Sequence, residues 1–333
     1  MCIVIVSTAH PRYPFILLSN RDEFIHRPTA AADWWDGSNT HVLGGRDLEK
    51  RERGTWLGIT KQGRIAALTN FREPGAEKAL DKSRGGIINA YLTSAPQQRE
   101  DSKHFAKRLI DDVGVQDVGG FSLLFGELRA PSPNSGDFPG LSILSNRSAD
   151  ASDLVHIATH PGEAHGLSNS HFGDMSWPKV VHGEQFLRQA IGADVKRGAS
   201  SDEAEFVERL FAILSIDTLP ERGNGEEWES YALSMRNSIF IPVSGGPSVD
   251  GRSGEEVAAA DGGDSTKSGP RAGEADVRIG EGSYGTQKQT VILVSAEGRV
   301  LLVERTMYSE DGRLLRDGEG ERRFEFDIEG WKG

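Results

Sequence analysis

Met1-Cys2-Ile3-Val4-Ile5-Val6-Ser7 sets the only cysteine of the chain at position 2, directly ahead of an apolar run. One Cys in 333 residues can form no internal disulfide, so the thiol is not a staple for the fold. If methionine aminopeptidase removes Met1, thiol and free α-amine share one residue. An α-amine, with an ordinary pKa of about 7.7–8, can then act as the base that activates its neighbouring thiol. The competing reading makes Cys2 a small hydrophobe in the first strand. Both readings predict a strand over Cys2–Ser7. Phe15–Ser19 follows it across Pro11, Tyr13 and Pro14 as the second arm of a hairpin with a longer loop.

Working outward, Thr55–Thr60 and Arg64–Phe71 flank Lys61-Gln62-Gly63 and predict a second hairpin with Gly in its turn. Helical spacing marks Arg84–Thr93, Ser102–Asp112, Trp177–Ile191 and Ser201–Ile216, the last opened by a capping box of Ser200 and Glu203. Strands are predicted at Phe121–Glu127, Leu141–Ser145, Leu154–Ala158, Thr290–Ser295, Val300–Thr306 and Arg323–Ile328. Val243–Ser283 differs from all of these: ten glycines in 41 positions, no aromatic residue, and eight acids against four bases. Such a segment cannot bury enough apolar surface to offset its ordering entropy, so a disordered insertion is expected at 243–283. Strand-like runs at Ser238–Val243 and Gln289–Ser295 flank it. Strands at both ends of the chain with helices between them predict an α+β layered protein. One domain over 1–333 is expected.

Composition narrows the function classes. At 36.2 kDa, with 37% hydrophobic residues and a mean hydropathy of −0.44, the chain reads as a soluble protein. No apolar run approaches the ~20 residues a membrane helix needs. The N-terminus lacks the basic n-region of a secretory signal, which points to the cytoplasm. A net charge of −12 argues against a nucleic-acid partner, since a polyanion requires a basic face. No cofactor and no metal site is expected from one Cys and scattered His.

Ser19-Asn20-Arg21-Asp22-Glu23-Phe24 reads as four polar groups where the chain leaves the second strand, close to Cys2 through strand pairing. A solvated turn with an internal Arg–carboxylate pair is the plainer alternative. Asn70 and Asn169 also close strand-like runs. An amide at a strand end can point its N–H₂ at a developing oxyanion, or can simply serve the turn. His156, His160 and His165 are separated by Pro161-Gly162, which breaks any helix that would align them on a metal or haem. Trp34, Trp35 and Trp56 read as core or groove lining, and Arg46, Arg51, Arg53, Arg72 and Arg84 as scattered surface arginines before a phosphate site.

In order along the chain stand M-C-I, S-N-R-D-E-F, G-T-W-L-G-I (54–59), A-L-T-N-F (67–71), S-R-G (83–85), G-L-S-N (166–169), W-P-K (177–179), Y-G-T (284–286), V-E-R and F-E-F. With these motifs the chain resembles the Transport and Golgi organisation protein two family, or NRDE family, over nearly its whole length outside 243–283. That family is similar to cysteine-type N-terminal-nucleophile hydrolases, the penicillin acylase and bile-salt hydrolase group. The resemblance implies a four-layer αββα sandwich of two antiparallel sheets. It implies Cys2 as nucleophile, Asn70 and Asn169 as oxyanion and amine partners, and Arg21 and Asp22 as the pair that steers thiol and amine. The hydrolases space their Arg and Asp three apart, which makes Asn20 and Glu23 the alternative occupants. After Y-G-T the family usually has Arg, where this chain has Gln287 and Lys288. Two functions are implied. One is a carrier of a small ligand (lipid, acyl-coenzyme A or haem) serving Golgi organisation and secretion, cytoplasmic with Golgi or mitochondrial association. The other is a Cys2-dependent amidohydrolase or thioesterase.

Overall fold

The computed structural model describes residues 2–71, 84–94, 101–113, 115, 119–221, 228–245, 282–309, 312–316 and 318–332. The chain opens with strands β1 (Ile3–Ser7), β2 (Phe15–Phe24), β3 (Thr29–Trp34), β4 (Val42–Asp47), β5 (Leu57–Thr60) and β6 (Arg64–Asn70). Helices α1 (Arg84–Leu92) and α2 (Ser102–Arg108) precede β7 (Phe121–Glu127), β8 (Leu141–Ser145), β9 (Val155–Ile157) and β10 (Ala164–Leu167). Then come α3 (Pro178–Arg197), α4 (Glu203–Leu214), α5 (Trp228–Ser234) and the short β11 (Ser244–Gly245). The closing strands are β12 (Ser283–Val294), β13 (Arg299–Thr306) and β14 (Glu321–Asp327).

These strands form two antiparallel seven-stranded sheets. One has the order β10-β1-β2-β12-β13-β14, with β11 added beside β12; the other runs β3-β4-β5-β6-β7-β8-β9. Alternation along each strand sends successive side chains to opposite faces. Val4, Val6, Leu17, Leu43, Ile65, Leu124, Ile292 and Leu302 therefore meet between the sheets. Ile3, Ile5, Ile16, Leu18, Val291 and Leu301 point outward, under Leu187 and Ile191 of α3 and Phe206 and Leu210 of α4. On the other sheet Ala66, Leu68, Phe121 and Phe125 lie under Ile88 and Leu92 of α1 and Phe105 of α2. The result is an α+β sandwich of four layers, helix–sheet–sheet–helix, as the sequence leads one to expect.

Gly63, at φ +81°, turns the β5–β6 hairpin where a side chain would be strained. Gly54 and Gly85 touch backbone to backbone: a Cβ on Gly54 would stand 2.7 Å from Gly85 Cα. This contact pins the start of α1 against the irregular segment that leads into β5.

Three local expectations are corrected. The Asn20–Glu23 run lies inside β2, which continues to Phe24, because each polar residue there has a partner across the sheet or behind it. Asp202, not Ser200, caps α4, its side chain accepting from Ala204 N and Glu205 N. Ser238–Val243 is not a strand; Ile241 instead exchanges hydrogen bonds with the backbone N–H and hydroxyl of Thr286. Most of the expected 243–283 insertion lies outside the described residues.

Candidate active site

The site is built by β2. Its residues Phe15, Leu17, Ser19, Arg21 and Glu23 face the second sheet, while Ile16, Leu18, Asn20 and Asp22 face the helices. The N-R-D-E run is thereby split. Asn20 is fully buried under α4 and donates to Leu214 O at 2.8 Å and Ile239 O at 2.9 Å. Asp22 accepts from Thr286 Oγ1 at 2.7 Å, with the fully buried Lys179 Nζ 3.9 Å from its other oxygen.

Arg21, 4% exposed, reaches between the sheets. Its Nη1 donates to Gln287 Oε1, its Nη2 lies 3.4 Å from Asp47 Oδ2, and its guanidinium stacks on Trp56 at 4.5 Å. Arg27 shares Asp47, Nε to Oδ2 at 2.7 Å, and Glu23 lies 3.9 Å from both arginines. The irregularity between Thr286 and Lys288 lets two consecutive residues face this region. Gln287, the residue after Y-G-T, thus faces this region and accepts from Arg21. Lys288 pairs with Glu304 at 3.9 Å and donates to Thr306 Oγ1 at 2.8 Å, while Glu304 accepts from Ala32 N of the opposite sheet at 2.7 Å.

Cys2 immediately precedes β1, and because Ile3 pairs with Asn20 it lies beside Arg21. The Cys2 thiol donates to Asp22 O at 3.8 Å, and Tyr284 O–H donates to the same carbonyl at 3.0 Å. Cys2 O accepts from Ser168 Oγ at 2.7 Å, and Ser168 O accepts from Thr69 Oγ1 at 2.7 Å. The next residues on those two strands also meet, Asn169 Nδ2 donating to Asn70 O. Asn70 Oδ1 is buried with no hydrogen-bond partner among the described residues. The structure therefore gathers Cys2, Arg21, Glu23, Asn70 and Asn169 at one end of the sandwich; Asp22 joins them through its backbone carbonyl, its carboxylate lying on the helix-facing side of β2 with Asn20.

Burial pushes the Cys2 thiol above its ordinary value; the Asp22 carboxylate adds to this, and the hydrogen bond to Asp22 O and the charge of Arg21 oppose it. The charged N-terminus also opposes the rise, but burial comes first and favours the thiol over the thiolate. Burial also lowers Lys179, with Asp22 and Cys2 opposing, and lowers Lys288, with Glu304 opposing. Glu304 is raised for the same reason, Lys288 opposing. Sequence reasoning assigned no role to Lys179, Asp47 or the Lys288–Glu304 pair. W-P-K and V-E-R were the available signals, but only the fold supplies their partners.

The remaining candidates disperse. His156 meets Ser142, His160 meets Asp137, and His165 meets Glu163, and among the described residues no three His, Cys, Asp or Glu side chains converge on a metal-sized site. Arg46 stacks on Trp35 at 4.0 Å and donates to Arg53 O, while Arg84 turns to Gly120. Arg72 lies outside the described residues. No helix among the described residues is long and apolar enough to cross a membrane.

Among solved structures the chain is similar to a Caenorhabditis elegans N-acylethanolamine-hydrolyzing acid amidase orthologue at 13% identity (TM-score 0.40; 67% of this chain, 88% of that one). It is also similar to a conjugated bile acid hydrolase from Clostridium perfringens at 10% identity (TM-score 0.39; 100% and 98%). The Transport and Golgi organization protein 2 homolog of Bos taurus is 31% identical over 305 residues, 90% of this chain and 88% of that protein. The Drosophila melanogaster Transport and Golgi organization protein 2 is 27% identical over 321 residues, 93% and 94%. The profile described as Transport and Golgi organisation 2 matches residues 1–309. This chain belongs to the Transport and Golgi organisation 2 family.

Proposed function

We propose that the chain binds a small ligand at the Cys2 end of the space between its sheets, in the service of Golgi organisation and secretion. The observation that carries this reading is the lining of that end: Arg21, Lys288 and Glu304, each 2–4% exposed, where the far end of the same space is hydrocarbon. Burying charge costs more than it returns unless each ion is paired, so such groups mark function better than they mark stability. A ligand with an apolar body and an acidic group, such as a lipid, an acyl-coenzyme A or haem, suits such a lining. A carrier also needs no thiolate, and the Cys2 thiol donates a hydrogen bond to the Asp22 carbonyl. The pairing of β2 with β12 supports reading 1–333 as one domain.

Cys2-dependent hydrolysis of a small amide or thioester is the second reading, favoured by the meeting of Asn70 and Asn169 beside Cys2. The test is direct binding of palmitoyl-coenzyme A and of haemin to wild type, Cys2→Ala and Arg21→Ala. A carrier keeps its affinity within about twofold in Cys2→Ala and loses about tenfold or more in Arg21→Ala, where tenfold is 1.4 kcal/mol. Cys2-dependent turnover of either an amide or a thioester would transfer the assignment to the hydrolase.

A further inference from the structure

Three arginines approach the Cys2 end, and their charges are met differently. Arg21 and Arg27 share the Asp47 carboxylate, with Glu23 behind them. Arg84, the first residue of α1, is half-buried, yet among the described residues no carboxylate lies within ion-pair distance of it. Its one described hydrogen bond runs from Nη1 to Gly120 O, long at 3.3 Å. That carbonyl already accepts from Phe71 N at 3.0 Å, so the guanidinium stands beside the Asn70–Phe71 strand end that Asn169 joins. Burial works against the charge of Arg84, and the nearby Glu23 and Cys2 favour it while Arg27 opposes it. A guanidinium carries five N–H donors in a fixed fork matched to a planar or tetrahedral oxyanion. The Gly54–Gly85 backbone contact holds the base of this side chain in place.

We propose that Arg84 is the recognition residue for an anionic oxygen group, carboxylate or phosphate, on the ligand handled at the Cys2 end. The proposal rests on the binding reading above and narrows it. The ligand is an oxyanion whose charged group docks beside Asn70, within the electrostatic reach of Cys2. Arg21 and Arg27 share Asp47, so they line the site as a paired wall, and Arg84 adds a guanidinium fork that no described carboxylate shares.

The experiment uses two alkylators of equal size, anionic iodoacetate and neutral iodoacetamide, and compares their rates at Cys2 in the folded full-length protein and in urea. The expected result is an iodoacetate-to-iodoacetamide ratio about tenfold higher folded than unfolded, the size of one good charge contact. Arg84→Gln should return the ratio to the unfolded reference, and Arg84→Lys should recover only part of it, lacking the fork. Inorganic phosphate and acetate, added separately, identify the oxyanion by which one slows iodoacetate more. An unchanged ratio in Arg84→Gln with native circular dichroism overturns the proposal. Because Arg84→Gln can also loosen α1, wild type is read from low to high salt: the preference should fade, and a constant preference overturns the proposal as well. A Cys2 that reacts with neither reagent until unfolding would instead sink the accessible Cys2 end itself, and the binding reading with it.

Discussion

The space between the two sheets has two ends that the same strands supply. At one end β2 contributes Phe15 and Leu17, β12 contributes Ile292 and Val294, and β13 contributes Val300 and Leu302. A few residues along, on the same faces, they contribute Arg21 and Glu23, Lys288, and Glu304. In the facing sheet β4 passes from Leu43 to Asp47 and β6 from Ala67 to Thr69. The difference teaches that apolar packing and the candidate site are divided along each strand, not between elements. Hydrocarbon at one end keeps the sheets together, and the other end keeps groups that a purely structural core would replace.

The comparison breaks most visibly at the buried pair. Lys288→Met leaves Glu304 without its cation and should cost about 3–5 kcal/mol in urea unfolding. Lys288→Met with Glu304→Leu should return to within ~1 kcal/mol of wild type or exceed it, because apolar replacement removes both desolvation penalties. A double variant as unstable as the single one would mean that the pair is structural. At the apolar end Leu17→Ala should cost about 3 kcal/mol through the cavity it leaves, with the alkylation rate of Cys2 unchanged. A changed rate would show that the two ends are coupled.

A finer contrast lies in the thiol. Its alkylation should keep rising with pH beyond the range where an ordinary thiol levels off, and Asp22→Asn should bring that plateau to lower pH by removing a charge that disfavours thiolate. An unmoved plateau would refute the carboxylate's part. The smallest effect belongs to His10, beyond the apolar end, where Nε2 meets Asp194 at 3.1 Å and Nδ1 accepts from Arg12 N. Burial lowers its pKa in the fold, so the unfolded chain takes up the proton first. Stability from this group is complete above the ordinary imidazole value of about 6.5 and falls as pH drops through it. Melting temperatures of wild type and His10→Gln, compared across that range, check the sign: the variant should show the shallower slope.

Much of the layering was legible. Ile-Val-Ile-Val, the Gly63 turn and the helical spacing of Arg84–Leu92 are local signals, and they correspond to β1, the β5–β6 hairpin and α1. β3 and β4 were not legible, because Thr-Ala-Ala-Ala-Asp-Trp and Val-Leu-Gly-Gly-Arg-Asp carry no apolar alternation. The glycines answer to neighbours instead: a Cβ on Gly44 would meet Leu57 O at 2.6 Å, and one on Gly45 the Trp56 ring at 2.4 Å. The N-R-D-E run misled for a related reason. A polar run signals chain departing for solvent unless partners await it, and those of Asn20, Arg21 and Asp22 come from residues 214, 239, 287 and 286. No local pattern contains such partners. For the same reason the sequence could name Cys2, Asn70 and Asn169 but not the buried lysine behind Asp22.

The long pairing of β2 with β12, from Phe24↔Tyr284 to Phe15↔Val294, also has a consequence for synthesis. About 260 residues separate the two strands, so at roughly 5–20 residues per second β2 leaves the ribosome on the order of 10–50 s before its neighbour exists. Throughout that interval an apolar strand offers an open edge, the condition under which chains pair with the wrong partner. A message truncated anywhere before residue 283 would leave that edge uncovered for good, and its product is expected to be a client of chaperones and proteases, not a smaller working protein.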